Sequence, residues 1–156
     1  PKIADFGMAK LFNLDQTQAN TTKVVGTIGY MAPEYVMTGK FSVKSDVYSF
    51  GVIILEIISG QLKSLSHQHS PFTSEGLLHH AWRLWQRGAG QELVDPTLGN
   101  NFIRIQAGRC IHIALLCVQE APARRPTMSL VFSMLSSSEI ELPPPSPPAS
   151  FAYEID

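Results

Sequence analysis

Apolar positions crowd into the middle and the last third of the chain, while polar ones gather near its ends and in one interior gap. Val52, Ile53, Ile54, Leu55, Ile57 and Ile58 occupy nearly every direction of a helical projection, which predicts a helix from Val47 to Ser59 that is buried all round. Ser45 or Asp46 can cap its start, because side-chain oxygens accept from the free N–H groups of a first turn. Gly60 is well placed to end it. The β-branched content would also suit a central strand, but the length and the cap pair favour a helix. A polar loop over 61–76 is followed by helical spacing from Leu77 to Trp85, with Leu78, Ala81, Trp82 and Trp85 on one side. The tryptophans read as core anchors, with a docking face as the alternative, and Gly88-Ala89-Gly90 stops the element.

Ile105 to Glu120, carrying Ile111, Ala114, Leu115 and Val118, predicts a second strongly apolar helix. Ala121 to Arg124 reads as a turn. Arg125-Pro126-Thr127-Met128 then opens a last helix through Leu135, with Pro126 at a first helical position, where its missing N–H costs nothing. From Ser136 the pattern dissolves. Pro143, Pro144, Pro145, Pro147 and Pro148 supply nearly half of the chain's 11 prolines. They predict an extended, solvated tail, with docking in an aromatic groove of a partner as the alternative. The sum is a mainly α chain.

The stretch from Asp5 to Glu34 follows neither period. It opens Asp5-Phe6-Gly7, closes Gly26-Thr27-Ile28-Gly29-Tyr30-Met31-Ala32-Pro33-Glu34, and is mostly polar between. Few apolar side chains are available to offset the entropy of ordering it, so it reads as a mobile loop pinned at both ends. Asp5 offers a hard oxygen ligand suited to Mg²⁺, Phe6 can anchor the turn, and Gly7 tolerates a backbone twist. Alone, Asp-Phe-Gly is also ordinary turn chemistry. An Ala-Pro-Glu one loop's length downstream makes the pair far more specific.

With those two motifs and Ser45-Asp46-Val47-Tyr48-Ser49-Phe50-Gly51 after them, the chain resembles a plant receptor-like serine/threonine protein kinase, most closely the cysteine-rich receptor-like group. The resemblance covers only the C-terminal part of the kinase domain. It implies the C-terminal lobe of the protein kinase-like fold over 1–135, with an activation segment at 5–34, a helical lobe at 35–135 and a Ser/Pro-rich tail at 136–156. No Gly-x-Gly-x-x-Gly, Val-Ala-Ile-Lys or His-Arg-Asp occurs in these residues. The N-terminal lobe and catalytic loop are therefore absent from them, and no catalytic base or nucleotide lysine lies within the chain. The resemblance also implies that the Val47 helix leaves an apolar face uncovered where upstream helices would pack.

Roles follow by position. Asp5, with Phe6 and Gly7, would hold Mg²⁺ against the phosphates of ATP, and Phe6 would pack inward. Gly26, Thr27, Gly29 and Tyr30 would form the substrate-docking strip, with Thr27 facing the catalytic base. Thr21, Thr22 and Thr27 are phosphosite candidates, with Lys10 and Lys23 as local receivers. The alternative for Thr21 and Thr22 is a pair of solvated hydroxyls. Glu34 and Arg125 would form a buried ion pair, the alternative being two surface charges. Asp46 would bond to the catalytic loop, and without that loop it caps its helix or faces water. Arg124 departs from relatives, which often carry Asp there.

The implied function is transfer of the ATP γ-phosphoryl group to Ser/Thr of protein substrates in receptor signalling, on the cytoplasmic side of the plasma membrane, with a partner kinase or co-receptor. The fragment alone would be inactive. The alternative is a non-catalytic module that binds partner proteins.

Composition adds limits. A chain of 156 residues can bury roughly 70% of its surface as one domain. A net charge of −1 gives no electrostatic case for nucleic acid, and no apolar run spans a bilayer. Cys110 and Cys117, on one helix, would lie about 10.5 Å apart along its axis, beyond the roughly 7 Å bridging limit. Reduced, buried thiols are the reading, with a metal pair the alternative. His67, His69, His79 and His80 lack a Cys or carboxylate at ligand spacing, so they read as solvated rather than metal-binding.

Overall fold

The computed structural model describes residues 2–7, 9, 18–60 and 74–148. Within them lie two short strands, β1 (Gln18–Asn20) and β2 (Lys40–Ser42). The helices are α1 (Pro33–Thr38), α2 (Val43–Ser59), α3 (Ser74–Gln86), α4 (Arg104–Cys117) and α5 (Met128–Ser136). The strands pair antiparallel, Ala19 opposite Phe41, so part of the stretch expected to be loop is tied to the helical body. The extra tie is Thr21, whose N–H donates to the Gly39 carbonyl at 2.9 Å.

α2 is the axis of the body and begins earlier than the apolar pattern suggests. Its N-cap is Ser42, not Ser45 or Asp46. The Ser42 hydroxyl accepts from the Lys44 N–H, and the Ser45 hydroxyl accepts in return from the Ser42 N–H. This reciprocal box satisfies donors that a helix start leaves free, at the point where extended β2 ends. Gly60 closes the helix in the left-handed region, φ 65°, which costs a residue without Cβ nothing.

Tyr48, Val52 and Leu55 of α2 pack with Leu77, Leu78, Ala81 and Leu84 of α3 and with Ile111, Ala114 and Leu115 of α4. Trp82 and Trp85 are only partly buried against this core. Gly51 permits the approach of α2 to α4, since a Cβ there would stand 2.6 Å from that of Cys117. The expectation that α2 is buried all round does not hold. Ile57 is 74% exposed and Ile53 41%. They lie one helical turn apart on a stripe that α3 and α4 do not reach, which leaves an uncovered apolar face. Cys110 is half-buried and Cys117 buried, and both thiols are free.

Other boundaries shift for local reasons. α3 starts at Ser74, inside the span read as loop, and α4 ends at Cys117 rather than Glu120. Pro126 does not open the last helix. Thr127 is the N-cap of α5, its hydroxyl accepting from the Leu130 N–H. Arg125, ahead of the proline, is extended (φ −69°, ψ 140°), as proline requires of the residue before it.

The tail is the largest correction. Residues 137–148 run back along α4 rather than into solvent. Arg109 donates through Nε to the Met134 carbonyl (3.0 Å) and through Nη2 to those of Ser137 (2.7 Å) and Ile140 (2.8 Å). His112 Nε2 donates to the Pro143 carbonyl at 2.7 Å, and Pro148 bridges to Gln119. Ile140 and Leu142 pack on a second cluster formed by Val47, Ile113, Leu116, Cys117, Val131 and Met134. A proline-rich segment lacks donors of its own, and here α4 supplies them. Replacing both Ile140 and Leu142 by Ala is expected to lower the unfolding free energy by about 2 kcal/mol, since each is a half-buried apolar contact. An unchanged urea midpoint would contradict this packing.

Candidate functional site

Two residues 91 positions apart anchor the site. Arg125 is 1% exposed, and a guanidinium carries five N–H donors that need partners when buried. All are used. Nη1 donates to Glu34 Oε1 (2.8 Å) and the Lys44 carbonyl (3.1 Å). Nη2 donates to Glu34 Oε2 (2.9 Å) and the Glu120 carbonyl (3.0 Å), and Nε to the Gln119 carbonyl (2.8 Å). The guanidinium also lies over the Tyr48 ring, 5.0 Å from its centroid. In return, Lys44 Nζ donates to the Arg125 carbonyl. Glu34 is thus gripped by both carboxylate oxygens, and Ser45 Oγ donates to Oε1 at 3.0 Å. Burial would raise the Glu34 carboxyl, but the hydrogen bonds and charge of Arg125, helped by Ser45, hold it below its ordinary value.

Glu34 sits in the first turn of α1, and the preceding strip folds onto α2 beside it. Tyr30 donates its hydroxyl to the buried Glu56 at 2.7 Å. Desolvation, then that bond and the charge of Glu56, push the phenol up to about 12. Ser49 Oγ donates to the Tyr30 carbonyl at 2.6 Å. Further back, Tyr35 receives the Val25 N–H and donates to its carbonyl. These bonds hold residues 25–35 as a rigid shelf.

Between the shelf, β2 and the start of α2 lies a cleft of about 520 Å³, lined by Thr27, Tyr30, Tyr35, Phe41, Asp46 and Ser49 among others. Thr27 and Asp46 therefore share one cavity. Asp46 is exposed, does not cap α2, and its carboxylate has no hydrogen-bond partner among the described residues. Desolvation at the cleft wall raises that carboxyl above the ordinary value.

The opening corner stands apart. Asp5 adopts φ 61°, a left-handed setting that Asp tolerates better than most residues, and its Oδ1 accepts from the Gly7 N–H at 3.4 Å. Phe6 is 68% exposed, not packed inward, because no apolar surface among the described residues closes over it. The Asp5 carboxylate is open to solvent. It fits a single-carboxylate contact to Mg²⁺, the remaining positions going to water and phosphate oxygens. Among the described residues no cluster of three metal-ligating side chains occurs.

Thr21 is half-buried, and its hydroxyl bonds to the backbone of Lys23 rather than to its ammonium. Thr22 is exposed. Lys10, His67 and His69 lie outside the described residues, and His79 and His80 lie in α3. Lys44 and Glu56 join the site without a motif in the sequence to mark them, and the Ser45–Gly51 run does not itself show that Ser45 and Tyr48 face Glu34 and Arg125. Glu56, an acid inside an apolar helix, is the one available signal.

The protein kinase domain family matches residues 1–135. The chain belongs to that family. Among curated kinases, it is 59% identical to cysteine-rich receptor-like protein kinase 8 of Arabidopsis thaliana. It is 57% identical to the same plant's putative cysteine-rich receptor-like protein kinase 20. Each match covers 97% of the chain and 22% of the relative, so the chain spans about a fifth of the length of these kinases. Among solved structures, the pseudokinase domain of BIR2, an immune regulator of the RLK/Pelle family, is similar with a TM-score of 0.60 and 29% identity. That likeness covers 71% of this chain and 33% of that one. The kinase-like fold is its mainly helical C-terminal lobe. No helix among the described residues is long and apolar enough to cross a membrane.

Two outcomes test the anchor. Arg125→Lys keeps the charge but cannot reach the Gln119, Glu120 and Lys44 carbonyls together. Unfolding free energy should fall by about 3 kcal/mol, and a loss within error of zero would contradict the geometry. The depressed Glu34 carboxyl contributes stability that is full above its unfolded pKa and disappears as pH falls through its folded one. Urea midpoints should therefore drop more steeply on acidification in the native chain than in Glu34→Gln, and parallel curves would refute this.

Proposed function

We propose that these residues form the C-terminal lobe of a protein serine/threonine kinase of the receptor-like class, acting on proteins at the cytoplasmic side of the plasma membrane in concert with a partner kinase or co-receptor. The observation that supports it is the cleft shared by Thr27 and Asp46, whose carboxylate has no hydrogen-bond partner among the described residues; in this reading the cleft receives a catalytic loop. In this reading Asp46 accepts from backbone N–H groups of that loop, and Thr27 stands beside the acceptor hydroxyl. Residues Gly26 to Tyr30 position the acceptor segment. The rigid shelf contributes orientation, which is most of what phosphoryl transfer asks of a protein. Asp5 would hold Mg²⁺, which would supply charge neutralisation for the phosphates of ATP. Thr21 and Thr22 serve as modification points on the activation segment, Thr22 being the more accessible.

For the chain on its own a second reading has support. The exposed Ile53 and Ile57 stripe and the likeness to a pseudokinase domain favour a partner-binding lobe without catalysis.

Radiolabelled phosphoryl transfer to a generic protein substrate separates the two. The 156-residue chain with Mg²⁺-ATP is expected to be silent. A kinase domain that joins it to an upstream nucleotide lobe and catalytic loop should transfer phosphate. Asp5→Asn in that domain should reduce the rate on the order of a hundredfold. Undiminished transfer by Asp5→Asn would remove the metal role.

A further inference from the structure

The feature that the kinase reading leaves unused is the tail strap and the arginine beside it. The family match ends at residue 135, yet residues 137–148 are held along α4 by Arg109, His112 and Gln119. Near its far end, Arg124 Nη1 donates to Ser146 Oγ at 3.0 Å on the solvent side of the fold. The Arg124 guanidinium has no other hydrogen bond or ion pair among the described residues, and the residue is exposed, so most of its donors face water. It is spare cationic capacity pointed at one hydroxyl.

We propose that Ser146 is a phosphorylation site and that Arg124 is its receiver, the modification locking the strap onto the turn over residues 122–124 that follows α4. A neutral hydroxyl offers Arg124 one acceptor. A phosphate offers three oxygens and nearly two negative charges, which match the planar fork of a guanidinium. The flanking Pro145 and Pro147 keep the backbone extended and carry no N–H groups to compete for the phosphate. In the reaction a separate kinase supplies the phosphoryl group from a nucleoside triphosphate. The Ser146 Oγ–P bond forms as the bond from γ-phosphorus to the bridging oxygen breaks. The hydroxyl proton passes to that kinase's base and the nucleoside diphosphate leaves. The locked strap keeps Ile140 and Leu142 over the cluster of Val47, Leu116, Val131 and Met134. This inference concerns the tail alone and stands whether or not the lobe takes part in catalysis.

The test uses the full 156-residue chain with phosphoserine installed at position 146, compared with the unmodified chain, each with Arg124 and with Arg124→Ala. Amide hydrogen exchange is read over residues 137–142 and at Gln119. A charge-assisted bond replaces a neutral one, so strap opening should slow roughly fivefold in the phosphorylated chain. Arg124→Ala should abolish that gain while changing the unmodified chain less than about twofold. Exchange that fails to slow, or slows equally without Arg124, overturns the proposal. Peptide mass spectrometry of the protein from its own tissue should find phosphate on Ser146, and a peptide recovered unmodified under every condition also overturns it.

Discussion

A guanidinium cannot be buried bare, and the molecule is built around meeting that demand at Arg125. Its five N–H groups go to four different places: the Glu34 carboxylate in the first turn of α1, the first turn of α2, and two carbonyls beyond the end of α4. Each partner belongs to a piece of chain that would otherwise be free to move separately. Removing any one leaves a desolvated group unpaired, a far larger penalty than the pair's net contribution. The charge therefore acts less as glue than as a register mark. Glu34 has one position in which both of its oxygens are met, and Ser45, part of the α2 capping box, is already turned toward it.

From that fixed point the shelf over residues 25–35 inherits its rigidity, through Tyr30 on Glu56, Ser49 on the Tyr30 carbonyl and Tyr35 on Val25. The opposite end of the segment has no such anchor: Asp5 and Phe6 are exposed. The asymmetry suits the division of labour in a kinase. On the proposed reading, Gly26 to Tyr30 are the substrate side, which needs preorganisation, and Asp5 is a metal corner that other parts of a kinase domain would complete. On the same reading, the cleft at Asp46 and the apolar stripe at Ile53 and Ile57 are the surfaces of α2 that such parts would meet.

Much of this is legible from residues alone. Asp-Phe-Gly and Ala-Pro-Glu at loop spacing point to the family, and the Arg125–Glu34 pairing comes with the resemblance. The apolar run of α2 marks the helix, but its caps depend on Ser42, a residue indistinguishable in sequence from any strand-end serine until β2 is seen to stop there. The stripe at Ile53 and Ile57 escapes the apolar pattern because a helix with one open face has the same composition as one that is surrounded. The tail escapes it for the opposite reason. Proline content says that a segment makes no ladder of its own, and says nothing of whether Arg109 and His112 will supply donors to its carbonyls. Tyr30 on Glu56 joins residues 26 apart, a contact that no local period encodes.

The most direct measurement is a double-mutant cycle at the anchor, with Glu34→Gln, Arg125→Met and the two together, followed by urea unfolding. Interdependent burial predicts a coupling of at least about 2 kcal/mol, the second change costing far less once the first is made. Effects that add to within about 0.5 kcal/mol would mean that the two charges are independent and that the fold does not hang on their pairing.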